Sequence, residues 1–278
     1  MSEFTRLYPE HMPSFEQIIS RVKIALDVVS LIGLIWISVH LASEDLRTYS
    51  ADNVRKYFKD RTILVVAHPD DETMFFGPTL LNLISEKKSV LILCLSNGDA
   101  DHLGNVRELE LSNVVEALGP TVTLSVVKDL GLQDNITSEW APDIISKHIE
   151  EHVSDGGPDL RQTILSFDDY GVSGHINHRS IYKTLVKMKD KFEKSNINLL
   201  VLRSVDLLRK YSSILDVVIT CFQRELFSEP NVFSLSISYS EYKSLAQLLQ
   251  FHHSQMVWFR DLYTIFSRYM FINDLEQL

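Results

Sequence analysis

The stretch "LVVAHPDDETMFFG", residues 64–77, carries the decision about the fold. A run of aliphatics stops at a histidine, a proline and three consecutive acids, then resumes with Met74, Phe75 and Phe76. Adjacent carboxylates repel one another, so Asp70, Asp71 and Glu72 at the end of a core strand need either full solvation or a positive charge among them. Outward from this point, "TILVVA" (62–67), "SVLILCLS" (89–96), "TVTLSVV" (121–127), "QTILSF" (162–167) and "INLLVLRS" (197–204) read as strands. Each is short, rich in β-branched residues and apolar on both faces, as a sheet covered on both sides requires.

Helical periodicity fills the gaps. "NVRELELSNVVEAL" puts Val106, Leu109, Val114 and Leu118 on a broad face and stops at Gly119-Pro120. "APDIISKHIEEHV" and "NHRSIYKTLVKM" fill two further gaps, the second with Asn177 in the position of an N-cap. "HVSDGGPDLRQ" (152–162) is the most loop-like interior stretch. The alternation predicts an open, mostly parallel, Rossmann-like α/β sheet with helices on both faces. Ligands of such sheets bind outside the carboxyl ends of the strands. Three polar loops follow strands there: His68-Pro-Asp-Asp-Glu, "NGDADHLG" and "DDYGVSGHINH".

Length and charge narrow the class. The 278 residues suffice for one large α/β domain and an appendage. With 27 basic and 37 acidic residues, a net charge of −10 and no basic stripe, nucleic acid is excluded as a partner. Cys94 and Cys221 are the two cysteines; they form no disulfide framework, which favours a reducing compartment. At the amino end, "IALDVVSLIGLIWISVHLA" (Ile24 to Ala42) is broken only by Asp27 and His40. Its 19 residues approach the ~20 that cross a bilayer. No small-residue cleavage site follows it, so a signal peptide fits poorly. A buried core helix remains the rival of a membrane-anchor helix, which is the reading adopted, with Trp36 and His40 near one interface. Arg6, Arg21 and Lys23 precede the span, and Arg47, Arg55, Lys56 and Lys59 follow it, which puts the main domain on the cytoplasmic side. The expected division is an anchor segment, 1–60, and a catalytic domain, 61–278.

The loop after the fourth strand holds His175 and His178 in a His-x-x-His spacing. With His68 and its acids they supply the histidine and carboxylate donors that a catalytic zinc takes, and a dication would relieve the repulsion among Asp70, Asp71 and Glu72. Each cluster alone also has a plain reading: acids complement a helix amino terminus, and loop histidines are solvated. Together at the strand ends of one sheet they point to a metal.

"AHPDDE" after a strand, with "MFFGP", "GNVRELEL", "SFDDYGVSGHINHRS" and "HHSQMVWFRDLYTIFSRYMFIN" further on, resembles the PIG-L (LmbE-like) family of zinc-dependent N-deacetylases. The likeness runs from about Ile63 to the carboxyl end and is nearest to the family's eukaryotic membrane members. It implies hydrolysis of the acetamide of N-acetylglucosaminyl-phosphatidylinositol, in glycosylphosphatidylinositol-anchor biosynthesis, at the endoplasmic reticulum membrane. It further implies Zn2+ or another divalent ion on His68, Asp71 and His178, and Asp70 as general base toward water at the metal. His175 would hold the oxyanion as imidazolium or protonate the amine. Arg107 would hold the inositol or phosphate side, and Asp134 the sugar hydroxyls. Glu72 and Asp168 are expected behind the site, Asp168 as an orienter of His175 or a ligand histidine. For Arg107 the plain reading is a surface pair with Glu108 or Glu110. Many bacterial relatives read His-Pro-Asp-His where this chain has His-Ile-Asn-His. The aromatic residues Trp258, Phe259, Tyr263, Phe266, Tyr269 and Phe271 are expected in the core more than at a membrane. Rival functions are a deacetylase of another N-acetyl-sugar conjugate, an iron oxygenase using His68-x-Asp70 and a later histidine, and an inactive membrane scaffold.

Overall fold

The computed structural model describes residues 15–155, 157, 160–227 and 229–278. Arg6, and residues 156, 158 and 159 of the loop-like stretch, lie outside the described residues. The chain divides into two compact units after Leu41. The first contains most of a long helix, α1 (Phe15–Tyr57). From Ile24 to Leu41 its large apolar side chains are exposed on every side, Val29 at 65% and Trp36 at 68%. The segment is long and apolar enough to cross a bilayer, and it has none of the one-sided burial of a core helix.

The second unit is built on one seven-stranded sheet of order β3-β2-β1-β4-β5-β7-β6. The five parallel strands are β1 (Arg61–Val66), β2 (Ser89–Cys94), β3 (Val122–Val126), β4 (Gln162–Phe167) and β5 (Asn198–Leu202). These are the five strands expected from sequence. The short turn α2 (Asp71–Met74) and α3 (Gly77–Ser85) follow β1, and α4 (Gly104–Leu118) follows β2. α5 (Pro142–Ser154) follows β3, and the single irregular turn α6 (Gly171–Gly174) with α7 (Ile176–Lys194) follows β4. The chain runs outward from β1 to β3 and returns to β4 on the other side of β1, so right-handed crossovers put α3 and α4 on one face and α5 and α7 on the other. The carboxyl ends of β1 and β4 therefore flank the switch point of the sheet, where a crevice opens.

Two strands escaped the sequence reading. β6 (Val232–Ser236) and β7 (Ile272–Gln277) extend the sheet, β7 lying antiparallel to both β5 and β6. Their sequences, "VFSLS" and "INDLEQ", carry too few branched residues to stand out. α8 (Leu207–Lys210) and α9 (Leu215–Leu226) lie between β5 and β6, and α10 (Tyr239–Leu249) and α11 (Trp258–Phe266) between β6 and β7. β6 would expose an unpaired edge, but the carboxyl half of α1 covers it. Ser236 N–H donates to Ser50 Oγ at 2.9 Å, and Asn53 Nδ2 donates to the Ser234 carbonyl at 3.1 Å. Helix side chains thus take the place of a neighbouring strand.

Two local expectations are corrected. On α4 the buried face holds Arg107, Glu110, Leu111, Val114 and Leu118, whereas Val106 and Leu109 are exposed. Two charged residues turn inward to partners, Arg107 to Asp134 and the Pro69 carbonyl and Glu110 to Ser254. At the start of α7 the N-cap is His175, whose ring accepts from Asn177 N–H, and Asn177 itself is fully buried in the first turn.

The carboxyl-terminal elements are tied together by buried charge. Arg268, fully buried in the turn before β7, meets Asp216 of α9 at 2.5 Å and Asp274 of β7 at 2.8 Å. Arg209 of α8 joins Asp216 at 2.9 Å. Removing one partner leaves uncompensated charge in the core, so Asp216→Ala should destabilise the protein by about 3–5 kcal/mol. Chemical denaturation of wild type and variant in the same detergent measures this.

Candidate active site

β1 and β4 deliver their following loops to the switch point, and the residues singled out from the sequence meet there. A cavity of about 750 Å3 lies over them, lined by His68, Asp70, Asp71, Arg107, Asp134, His175 and His178 among others. "NGDADHLG" does not line it; the loop instead supports Arg107, which donates to the Gly98 carbonyl at 2.9 Å. Gly98 is at φ +68°, and a Cβ there would run into the Arg107 guanidinium at 2.5 Å. Arg107 also donates to the Pro69 carbonyl at 2.7 Å and reaches Asp134 at 3.4 Å and Asp70 at 3.8 Å. The surface-pair reading fails: Glu108 goes to Lys128, and Glu110 accepts from Ser254.

The acids are buried and strictly partitioned. Asp71 Oδ2 accepts from the N–H groups of Ala67 and His68 at 3.1 and 2.9 Å. Its Oδ1 lies 3.3 Å from His178 Nε2, and Oδ2 lies 3.7 Å from His68 Nδ1. Burial pushes the Asp71 carboxyl up, but the two histidines and the backbone donors outweigh it and hold the group well below the usual range. Asp70 sits at φ 111°, a strained left-handed conformation for a non-glycine residue. Arg260 of α11 donates to Asp70 at 2.8 Å. Burial raises the Asp70 pKa, with Arg260 opposing and Asp71 reinforcing. Glu72 accepts from Asp70 N–H at 3.0 Å and meets His252 at 2.6 Å, both residues fully buried. Arg260 and His252 belong to "HHSQMVWFRDLY" and were not singled out individually; the one signal was basic residues in an otherwise aromatic stretch.

The tautomers follow from the neighbours. His178 Nδ1 faces the Gly171 carbonyl at 3.0 Å, which can only accept, so Nδ1 carries the proton. Its Nε2 is buried without a hydrogen-bond partner. His68 Nε2 faces two acceptors, Asp134 and Asn177, each at 3.2 Å, so its proton is there and Nδ1 turns toward Asp71. In the neutral rings two lone pairs therefore point at one carboxylate, an arrangement that a cation between them would satisfy. The donor set fits a divalent ion. His175 completes a trio of rings whose ligand atoms lie within 4.8 Å of one another. Its Nδ1, however, accepts from Asn177 N–H at 3.2 Å, leaving its proton on Nε2. Burial, then the neighbouring His68 and His178, push its pKa down to about 4, so the ring is neutral at neutral pH.

Asp168 contacts none of these rings. It accepts from Gly171 N–H at 2.9 Å and from Ser204, and so fixes the Gly171 carbonyl on which His178 rests. Gly171 has φ +67°, and an added Cβ would meet His178 Cβ at 2.6 Å. Phe167 stacks on His178 with centroids 3.9 Å apart. The substitution of Asn for the bacterial Asp is accommodated: Asn177 Nδ2 donates to the Ser138 carbonyl while Oδ1 faces His68, and Asp134 supplies the negative charge.

Fold and site define an α/β protein with a cluster of imidazole nitrogens and carboxylates able to hold a cation at its switch point, under a cavity of about 750 Å3. Comparison with known proteins gives the same class. The PIG-L family model, described as GlcNAc-PI de-N-acetylase, matches residues 63–189. The chain is 36% identical over 232 residues to the probable N-acetylglucosaminyl-phosphatidylinositol de-N-acetylase of Schizosaccharomyces pombe, covering 82% of this chain and 91% of that one. It is 36% identical over 221 residues to the N-acetylglucosaminyl-phosphatidylinositol de-N-acetylase of Bos taurus, covering 78% and 83%. The solved N,N'-diacetylchitobiose deacetylase of Pyrococcus horikoshii aligns with a TM-score of 0.54 at 12% identity, over 97% of this chain and 95% of that chain, a likeness of fold. The chain belongs to the PIG-L family of GlcNAc-PI de-N-acetylases.

Two outcomes are expected. His178→Ala and His68→Ala should each lose the metal, and Gly171→Ala should weaken its retention, as elemental analysis after dialysis will show. The second concerns His252: burial lowers its pKa, but Glu72 and then Asp70 and Glu110 raise it above the ordinary value on balance. A raised native pKa contributes stability that is fully present below about pH 6.5 and lost as pH rises through the native value. In chelated protein the unfolding midpoint should fall over that interval, and His252→Gln should flatten the profile.

Proposed function

We propose that the protein removes the acetyl group of N-acetylglucosaminyl-phosphatidylinositol, giving acetate and glucosaminyl-phosphatidylinositol, in glycosylphosphatidylinositol-anchor biosynthesis. The observation that carries this reading is the pair of ring lone pairs converging on the Asp71 carboxylate beneath the cavity. His68, Asp71 and His178 would hold the ion, and two nitrogens with one carboxylate suit zinc with an open position. His175 is left out of the ligand set because ligation would cost it the hydrogen bond from Asn177. A bound divalent ion supplies acidification of water to a pKa of ~7 and polarisation of the amide carbonyl.

The chain's own groups do the rest. Asp70, held by Arg260, takes the proton of the attacking water as C–O bond formation proceeds. His175 offers Nε2–H to the developing oxyanion as a neutral donor, since its lowered pKa and its capping bond disfavour the imidazolium. Asp70 then returns that proton to the leaving amine as the C–N bond breaks, a transfer for which a neutral imidazole is far too weak an acid. Asp134 lines the cavity where sugar hydroxyls would lie. The iron reading is disfavoured because Asp70, its required carboxylate, is paired with Arg260.

The lipid-linked substrate, over other N-acetyl sugars, is supported by the cavity mouth. Phe259, Leu262 and Phe266 of α11 line the cavity and are about half exposed, with Trp258 at 77% and Ile265 at 52% beside them. The aromatic end is thus divided: Tyr263, Tyr269 and Phe271 are core, and the rest form an apolar rim. With the anchor helix in the endoplasmic reticulum membrane and the catalytic unit in the cytosol, such a rim suits a substrate presented from a bilayer.

Asp70→Asn should keep the metal and lose about 10²–10⁴-fold in turnover. Acetate release alongside metal content tests this, and near-normal turnover would move the base elsewhere. Trp258→Ser with Ile265→Ser should lower turnover of the lipid in vesicles while sparing a water-soluble analogue. Equal rates on the embedded lipid would remove the rim from substrate access.

A further inference from the structure

Three non-histidine cations line the cavity: Arg107, Arg260 and Lys210. The two arginines are already engaged at their terminal nitrogens, each keeping only a buried Nε without a partner. Arg260 is paired with Asp70, and Arg107 is divided among two carbonyls and two carboxylates. The inositol-phosphate role that family resemblance implies for Arg107 therefore falls to a guanidinium with little left to offer. Lys210 differs. Among the described residues no carboxylate lies within 4.0 Å of its Nζ, which makes one hydrogen bond, to the Val172 carbonyl at 3.0 Å, and stands 5.9 Å from the Tyr211 ring. An ammonium has three donors, so two remain. The residue is half-buried, and desolvation, opposed by no acid, lowers its pKa. A partly desolvated cation without a counterion is a place prepared for an anion.

Its backbone is well fixed. Asp206 caps α8 by accepting from Leu208 N–H and Arg209 N–H, and Arg209 is held in the buried network with Asp216. We propose that Lys210 recognises the anionic phosphodiester of the substrate, so that the enzyme reads the charge that distinguishes an inositol phospholipid conjugate from a neutral N-acetyl sugar. The inference rests on the function proposed above and assigns its specificity. The phosphodiester is the one ionised group of that substrate's headgroup, and it lies on the lipid side of the sugar. Lys210 shares the cavity wall with Tyr211 and the apolar residues Phe259 and Phe266, where the lipid side would lie.

The test uses full-length, metal-loaded protein and two water-soluble substrates: N-acetylglucosaminyl-inositol, and the same compound carrying a glycerophosphodiester on the inositol. Wild type should prefer the second by about 10- to 100-fold in kcat/KM, the range of a hydrogen bond to a charged group. In Lys210→Met that preference should collapse to about 3-fold or less, through KM and not kcat. Lys210→Arg should keep most of it. Metal content establishes that the variants are folded at the site. An unchanged preference in Lys210→Met would overturn the inference. So would an equal loss on both substrates, which would make Lys210 a prop for the Val172 loop that leads to His175. Hydrolysis of neither substrate by wild type would instead overturn the proposed function, and this inference with it.

Discussion

The whole arrangement turns on negative charge buried at the carboxyl end of β1. Asp70, Asp71 and Glu72 follow one another in a single turn, with Asp134 across the cavity. Such a group is tolerable only if each carboxylate has its own positive or donor partner. The structure provides them from four directions: Arg260 from α11 for Asp70, the Ala67 and His68 N–H groups at the end of β1 for Asp71, His252 from the turn before α11 for Glu72, and Arg107 from α4 for Asp134. Each partner is on a different element, so neutralising the acids also assembles the domain around the switch point.

The same constraint sorts the histidines into roles. A ring keeps a free lone pair on its near nitrogen when its far nitrogen is tied to an acceptor, as His178 is to the Gly171 carbonyl and His68 to Asp134. A ring becomes a neutral donor when its far nitrogen accepts, as His175 does from Asn177 N–H. Three imidazoles in close contact thus have two chemistries, set by which backbone or side-chain group stands behind each. Asp168 acts at one remove, holding Gly171 and Ser204 while touching no imidazole.

The carboxyl-terminal third is an addition to the parallel sheet that serves the site. Arg268, Asp216 and Asp274 lock β7, α9 and the preceding turn. That frame holds α11, which sends Arg260 inward to Asp70 while turning Trp258 and Ile265 outward. One short helix therefore connects Asp70 to the apolar mouth, and the amphipathic spacing of its residues permits both at once.

Much of this was legible in the chain itself. The five parallel strands, the convergence of the first and third polar loops, and the meeting of His68, Asp71, His175 and His178 follow from short β-branched runs apolar on both faces and from the rule that such sheets bind at their carboxyl ends. The apolar run in α1 was equally plain, because composition alone reports it. What tertiary structure decided lies where sequence separation is large or pattern is weak. β6 and β7 have ordinary compositions and exist because β5 offers an open edge. His252 and Arg260 reach acids about 180 residues earlier, a pairing no local pattern encodes. Arg107 and Glu110 looked like exposed helix charges, and Val106 and Leu109 like core; the acids Asp70 and Asp134 reversed this for Arg107, since a buried charge left unpaired is costly. Residue types and spacings determined that a metal-type site would form at the switch point. The protonated nitrogen of each ring, and the cation left free for a ligand, were decided by neighbours that only the folded chain brings together.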